Sequence, residues 1–136
     1  MMDWTGAAGI CTNDKGELLM VLQGAPGEPR KWTVPSGGLE DGETYGECCI
    51  REFREETGYE TEVAGVLHVK KGTYEEIGVT FTVHYFLVVI TGGERCIQDP
   101  DGLIHDVAWK SADEIEGLDL SFPEDLAFIK EHLMKI

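Results

Sequence analysis

Three glutamates stand at helical spacing in this chain and could share one chemical task. Glu52, Glu55 and Glu56 occupy positions i, i+3 and i+4, so their carboxylates would converge on one helix face. Like charges at this spacing repel, and a helix selected only for stability would avoid them. A hard divalent cation reverses that balance, because Mg²⁺ and Mn²⁺ prefer carboxylate oxygens and water as ligands. The spacing therefore indicates a cation site, although a glutamate-rich helix is more often a solvated surface.

The segment that carries these glutamates is predicted to be a helix with both ends marked. Thr44 and Glu47 form a capping box, and Gly58 stands where a C′ glycine ends a helix. Placing successive residues about 100° apart gives the predicted buried stripe. That stripe consists of Gly46, Cys49, Ile50 and Phe53. The three carboxylates are expected on the neighbouring face.

A glycine-rich loop, Gly37-Gly38-Leu39-Glu40-Asp41-Gly42-Glu43, precedes this helix. Glycine lets the backbone approach a ligand closely and adopt angles that other residues avoid. Glu43 and Arg51 stand where a salt bridge could fasten the loop to the helix and orient Glu52. The loop and the helix together form too long a constellation to arise often by chance, which favours the functional interpretation.

Residues 37–59 resemble the Nudix box, Gly-x5-Glu-x7-Arg-Glu-U-x-Glu-Glu-x-Gly-U, in which U is a bulky apolar residue. Tyr59 fills the last position with a less usual aromatic residue, and Ser36 stands where a second glycine is common. Trp32-Thr33-Val34-Pro35 leads into the loop as it commonly does in that family. The positions that match in register are Gly37, Glu43, Arg51, Glu52, Phe53, Glu55, Glu56 and Gly58.

The resemblance implies an α/β fold, an α/β/α sandwich with a mixed β-sheet between helices, in a single domain over residues 1–136. It also implies a pyrophosphohydrolase that needs Mg²⁺ or Mn²⁺. In such enzymes, water attacks phosphorus in a nucleoside diphosphate linked to another group. The implied catalytic residues are Glu43, Arg51, Glu52, Glu55 and Glu56. The implied metal ligands are the Gly37 carbonyl and the side chains of Glu52, Glu55 and Glu56.

Substrate contacts are predicted on both sides of the box. Arg30-Lys31 is the only basic pair ahead of the glycine loop. Many Nudix enzymes carry a basic residue that meets phosphate at the position where this chain has Gln23-Gly24. Arg30 or Lys31 could take over that contact. A solvated loop is an equal alternative for this pair. Gly37 and Gly38 are expected to approach the substrate. Tyr74, in a predicted turn, is the candidate for stacking on a base.

The resemblance leaves the general base open between a box glutamate and a carboxylate from a distant loop. The loop candidates are Glu94, Asp99, Asp101 and Asp106, and plain solvation is the simpler interpretation of each. The histidines have no partner motif and are predicted to be structural or surface residues. They are His68, His84, His105 and His132.

The composition restricts the partners of the chain. Its formal charge is 11 − 26 = −15, which argues against coating a long nucleic acid. A phosphorylated nucleotide stays compatible because a metal can supply local positive charge. Without a Cys-x-x-Cys pair, the cysteines are predicted to be free core residues rather than zinc ligands: Cys11, Cys48, Cys49 and Cys96. Neither a leader nor an 18-residue apolar run is present, so a cytoplasmic protein without a membrane partner is expected.

The remaining chain is predicted to form strands and further helices. Residues 4–12 and 17–23 are predicted to pair as a hairpin. Further strands are expected over residues 59–71, 79–90 and 103–109, with a turn over residues 72–78. A short helix is capped by Ser111, and the last helix is predicted over residues 123–133.

Two alternatives belong to other functional classes. A catalytically silent Nudix-fold module could bind or sense nucleotides, but such modules usually lose box carboxylates, which this chain keeps. An acidic cation-binding protein would leave the glycine loop and Arg51 unexplained. Damaged nucleoside triphosphates, nucleotide sugars such as ADP-ribose, dinucleoside polyphosphates and 5′-triphosphorylated RNA all suit the box. Charge and size favour a small nucleotide. Family members are often dimers, and no feature decides whether this chain forms a homodimer.

Overall fold

The structure, a computed structural model, describes residues 2–134. The first half contains β1 (Met2–Ile10), β2 (Leu18–Gln23), β3 (Lys31–Thr33), β4 (Ser36–Gly38) and α1 (Tyr45–Thr57). The second half contains β5 (Tyr59–Tyr74), β6 (Val79–Gly93), β7 (Ile104–Lys110), α2 (Ala112–Glu116) and α3 (Leu126–Met134). The 3₁₀ turns Glu75–Ile77 and Pro123–Asp125 precede β6 and α3.

The strands form two sheets. The first is mixed and has the order β4-β1-β6-β5, with β1 parallel to β6 and the other pairs antiparallel. The second is antiparallel and has the order β3-β2-β7. Because β1 lies between β4 and β6, it connects the glycine loop with the longest strands of the molecule.

Successive residues of the central strands face two different cores, as the period-two geometry of a strand requires. Ala7, Leu19 and Phe86 pack with Cys49 and Phe53 of α1. The second core is formed by residues adjacent to these in the same strands and by side chains of α2 and α3: Ala8, Met20, Tyr85, Ile115, Ile129 and Leu133. The strands therefore lie between α1 and the α2–α3 pair, which confirms the predicted α/β/α sandwich.

The predicted hairpin of the first two strands forms only beside its turn. Thr12 and Leu18 form an antiparallel bridge, and the Leu19 N–H donates to the Cys11 carbonyl at 3.0 Å, but β1 and β2 themselves belong to different sheets. The turn between them forms as predicted, with Asn13 Oδ1 accepting hydrogen bonds from the N–H groups of Lys15 and Glu17. β1 instead pairs in parallel with β6 along its whole length. That partner lies far away in the sequence, where local turn signals give no information.

The predicted turn over residues 72–78 is shorter than expected. β5 continues to Tyr74, which pairs with Val79 of β6, so only the 3₁₀ turn Glu75–Ile77 and Gly78 connect the strands. Gly72 lies within the strand, at a position where a side chain would meet the Phe81 ring, with Cβ only 2.4 Å from Cζ. The last helix also begins later than predicted, since Pro123–Asp125 forms a 3₁₀ turn before α3.

The cysteines are free, as predicted, but only three of them belong to the core. Cys11, Cys48 and Cys49 are buried, whereas Cys96 is exposed. Burial raises the pKa of Cys49 to about 12, so its thiol stays protonated at neutral pH. Between residues 2 and 134 the structure has no helix with the length and apolar character needed to cross a membrane. The cytoplasmic location and the homodimer stay predictions.

Candidate active site

Helix α1 has the ends that the sequence predicts. Thr44 Oγ1 accepts a hydrogen bond from the Glu47 N–H at 3.1 Å, and Glu47 Oε1 accepts one from the Thr44 N–H at 2.9 Å. Gly58 adopts φ 85° and donates its N–H to the Arg54 carbonyl at 2.8 Å. A Cβ at Gly58 would also lie 2.2 Å from the Glu94 carbonyl oxygen. Only glycine therefore allows the chain to turn here from α1 into β5.

The buried face of α1 is rotated from the predicted stripe. Gly46 and Ile50 are only half-buried, and the buried residues are Cys48, Cys49, Phe53, Glu56 and Thr57. The helix approaches β1 closely because Gly9 has no side chain; a Cβ there would lie 2.6 Å from the Phe53 ring. This docking turns Glu56 inward, so that it is only 5% exposed.

Arg51 joins the glycine loop to the helix, as the sequence predicts. Its Nε and Nη2 donate to the two carboxylate oxygens of Glu43 at 2.7 and 2.9 Å, and Nη2 also donates to the Gly38 carbonyl at 3.0 Å. Nη1 donates to Glu52 at 2.6 Å and to Glu55 at 3.5 Å. The planar guanidinium thereby fixes loop and carboxylates in one network.

The Arg51 network decides the charge of Glu43. The hydrogen bonds from Arg51 lower the pKa of the Glu43 carboxyl to about 2, and the Glu40 N–H, which donates to it at 3.0 Å, acts in the same direction. Glu43 is therefore ionised over the whole physiological range. The same hydrogen bonds raise the pKa of Arg51 in turn, and the negative charge of Glu43 acts in the same direction.

Glu52 and Glu56 meet beside the glycine loop. Glu52 lies against Gly37, where an added Cβ would come within 2.2 Å of the Glu52 Cδ atom. Glu56 Oε1 accepts a hydrogen bond from the Ser36 N–H at 3.2 Å. Burial raises the pKa of Glu56 well above its ordinary value, and its hydrogen bond with Glu52 acts in the same direction. Burial also raises the pKa of Glu55, as does the charge of Glu52. The three carboxyl groups are thus adjacent on α1.

The chemistry of this donor set fits a hard divalent cation. Among residues 2–134, no three His, Cys, Asp or Glu side chains are arranged as ready ligands of one metal ion. However, burial and the neighbouring Glu52 raise the pKa of Glu56, and a divalent cation bound beside that carboxyl would favour its charged form. The Gly37 carbonyl, predicted as a further ligand, accepts a hydrogen bond from the Cys48 thiol at 3.5 Å and keeps a second lone pair, so its role as a ligand stays a prediction.

The loop acids differ in their relation to this site. Asp106 pairs with Arg95 at 2.6 Å. Asp99 accepts hydrogen bonds from the N–H groups of Leu103 and Ile104 at 2.6 and 3.1 Å, and its charge contributes to the raised pKa of Glu56. Among the loop candidates for the general base, Asp99 is therefore one whose charge raises the pKa of Glu56.

The predicted substrate residues do not all lie beside the helix carboxylates. Among the described contacts, none joins Arg30 or Lys31 to the helix carboxylates; Lys31 pairs with Gln23 and lines a hollow with Ser121. Gly38 lies in the site through its bond to Arg51. Tyr74 stands at the end of β5 and stacks on Phe81, with ring centroids 4.9 Å apart.

The sequence analysis missed Lys70, which lines a cavity next to the carboxyl pair. The lining of this cavity also includes Trp4, Ser36, Tyr74 and Phe81. The Lys70-Lys71 pair in an otherwise alternating strand was the only available signal, since a lysine on the inward side of a strand is unusual. The histidines lie elsewhere; for example, His84 stacks on Tyr45 with centroids 3.7 Å apart.

A family model described as the NUDIX domain matches residues 2–133. Nucleoside triphosphatase NudI from Enterobacter sp. (strain 638) is 29% identical over 120 residues, which cover 78% of this chain and 79% of that protein. The 8-oxo-dGDP phosphatase NUDT18 from Mus musculus is 39% identical over 84 residues, covering 62% of this chain and 24% of that protein. The chain spans 25 to 55% of the length of three other curated relatives that it matches.

Solved structures show the same fold. A NUDIX hydrolase from Nitrosomonas europaea superimposes with a TM-score of 0.85 at 24% identity, covering 98% of this chain and 90% of that one. The α/β/α arrangement described above is therefore shared with that structure.

Proposed function

This chain belongs to the NUDIX family, and we propose that it is a metal-dependent pyrophosphohydrolase acting on a small nucleotide. It would cleave a nucleoside diphosphate linked to another group, with water attacking phosphorus. The observation that carries this proposal is that Glu52 and Glu56 lie side by side against Gly37 and Ser36, with Arg51 connecting Glu52 to the glycine loop. The relatives named for nucleoside triphosphate and 8-oxo-dGDP hydrolysis support a nucleotide substrate.

Each residue of the site has a distinct proposed role. Glu52 and Glu56 would hold Mg²⁺ or Mn²⁺, with Glu55 beside them. The bound cation would neutralise phosphate charge and lower the pKa of a water ligand. Arg51 and the ionised Glu43 hold Glu52 and the loop in place. The lack of a side chain at Gly37 leaves room for the Glu52 carboxylate. The general base is proposed to be a box glutamate or Asp99.

Release of phosphate and pyrophosphate from a panel of nucleotides tests this function. The panel contains nucleoside triphosphates, their oxidised forms, nucleotide sugars and dinucleoside polyphosphates, each with Mg²⁺, with Mn²⁺ and with excess chelator. We expect hydrolysis of one class with either cation and none with chelator. Tight nucleotide binding without turnover across the whole panel would instead favour the catalytically silent binding module.

The Gly37→Ala variant should lose most of its hydrolytic activity while it stays folded. The new Cβ would lie 2.2 Å from Glu52 Cδ, so the carboxylate must move away from the loop. Misplacing a catalytic group by about 1 Å can cost roughly a hundredfold in rate. The measurement is kcat together with the unfolding midpoint. Gly65→Ala is the matched control, because no atom lies within 4 Å of its Cβ position. Equal rates for the two variants would contradict the assigned position of Glu52.

A further inference from the structure

A segment between β6 and β7 covers the C-terminal end of α1. The last carbonyls of a helix have no donor within the helix and need one from outside it. Here the Cys96 N–H donates to the Thr57 carbonyl at 2.8 Å, and the Gln98 N–H donates to the Glu55 carbonyl at 2.7 Å. Both contacts are made by the backbone. We call residues 94–98, which provide them, the α1 clamp.

The two bonds of the α1 clamp lie on either side of Glu56. This residue follows Glu55 and precedes Thr57, so a donor from the clamp holds the carbonyl of each neighbour. Glu56 is only 5% exposed, and its carboxyl group accepts a hydrogen bond from the Ser36 N–H. The clamp therefore fixes the last turn of α1, and with it the direction in which Glu56 reaches toward β4.

Two glycines allow the α1 clamp to approach the helix end this closely. A Cβ at Gly58 would lie 2.2 Å from the Glu94 carbonyl oxygen and 2.5 Å from the Cys96 nitrogen. Gly93, which precedes the clamp, has φ 77°, and a Cβ there would lie 2.4 Å from the Gly58 carbonyl oxygen. These obstacles are backbone atoms, which cannot rotate away as the end of a side chain can. Gly93 is thus required both for its backbone angle and for its lack of a side chain.

A purely structural role explains only part of this contact. Every side chain of the α1 clamp is exposed, so hydrogen bonds rather than buried apolar groups hold the segment in place. Water could satisfy the same helix carbonyls if the end of α1 needed only capping. On its other side the segment is fastened to β7, because Arg95 Nε donates to the Val107 carbonyl at 3.0 Å. A segment held from two sides fixes a position, which water does not do.

On the basis of the proposed metal-dependent reaction, we propose that the α1 clamp positions Glu56 for cation binding and that Gly93 is the positioning residue on which the clamp depends. The clamp acts through the backbone of α1. A side chain at Gly93 would push the clamp away from Gly58 and release the two helix carbonyls, so the last turn of α1 would lose its fixed position. Altering groups that orient metal ligands typically weakens metal binding by about 10–100-fold.

Binding of Mn²⁺ to the nucleotide-free protein, followed by electron paramagnetic resonance, tests this inference without turnover. Gly93→Ala should bind Mn²⁺ at least about tenfold more weakly than wild type. Gly92→Ala is the matched control, because Gly92 has no positive φ and no atom of the described residues lies within 4 Å of its Cβ position. It should bind Mn²⁺ as wild type does. A loss of global stability alone would leave the Mn²⁺ affinity of the folded molecules unchanged.

Hydrogen exchange reports the state of the α1 clamp directly. The amides of Cys96 and Gln98 donate to α1, so both should be protected in wild type and in Gly92→Ala. Both should exchange faster in Gly93→Ala, because its clamp cannot reach the helix.

A second variant keeps the test decisive if Gly93→Ala fails to fold. Gln98→Pro removes the N–H that donates to the Glu55 carbonyl, and the substitution lies in an exposed segment. It should weaken Mn²⁺ binding by at least about tenfold as well.

Nucleotide hydrolysis by the wild type separates the two proposals. Wild-type Mn²⁺ affinity in either Gly93→Ala or Gln98→Pro, when folded, would overturn the role of the α1 clamp and leave the proposed function standing. Mn²⁺ binding that depends on Gly93, in a protein that hydrolyses no nucleotide, would contradict only the proposed function.

Discussion

The Glu52→Gln variant should stay folded and lose nucleotide hydrolysis by about a hundredfold or more. The amide keeps the size of the side chain and its hydrogen bond with Arg51 but removes the charge that would hold a cation. Repulsion between Glu52 and Glu56 disappears at the same time and offsets part of the lost charge interaction with Arg51, so the variant should stay folded. The measurement is kcat at saturating Mg²⁺, with urea unfolding on the same preparation.

The control for this variant is Glu62→Gln, which neutralises an exposed glutamate of β5. It changes net charge by the same amount and should leave kcat unchanged. If Glu52→Gln were as active as Glu62→Gln, Glu52 could not be a metal ligand, and the proposed mechanism would have to be abandoned.

The Arg51→Met variant should lose about 3–5 kcal/mol of unfolding free energy as well as its activity. It would leave Glu43, Glu52 and Glu55 close together without their shared cation. The Arg51 and Glu43 side chains are only 16% and 13% exposed, so solvent compensates this loss poorly. Arg54→Met removes an exposed arginine from the same helix and should cost no more than about 0.5 kcal/mol. Equal urea midpoints for the two variants would show that Arg51 has no structural role.

The destabilisation by Arg51→Met should depend on pH in a defined direction. In the native protein the pKa of Glu43 is lowered from 4.5 to about 2. A carboxyl with a lowered pKa contributes stability above its unfolded pKa and loses that contribution as pH falls through its folded pKa. The difference in stability between wild type and variant should therefore be complete above about pH 4.5 and shrink toward pH 2. A constant difference over this window would contradict the ion pair.

The sequence alone was sufficient to predict helix α1 and its attachment to the glycine loop. The Thr44–Glu47 capping box and the stop at Gly58 form as predicted, because helix ends are decided by hydrogen bonds between residues a few positions apart. The Arg51–Glu43 ion pair also forms, since the helix and the short loop bring these residues together. Local geometry therefore determined which residues gather around Glu52.

Only the tertiary structure decided what surrounds that helix. Close docking of Phe53 against Gly9 rotates Glu56 into the interior. The buried stripe predicted from the helical spacing of residues in α1 did not include Glu56. Parallel pairing with β6 draws β1 away from β2, and the ion pair of Lys70 with Asp125 joins residues 55 positions apart. Pairing between distant strands depends on packing and twist across the whole sheet rather than on neighbouring residues. The sequence thus predicted the carboxylates of the site, and the fold supplied the cavity beside them.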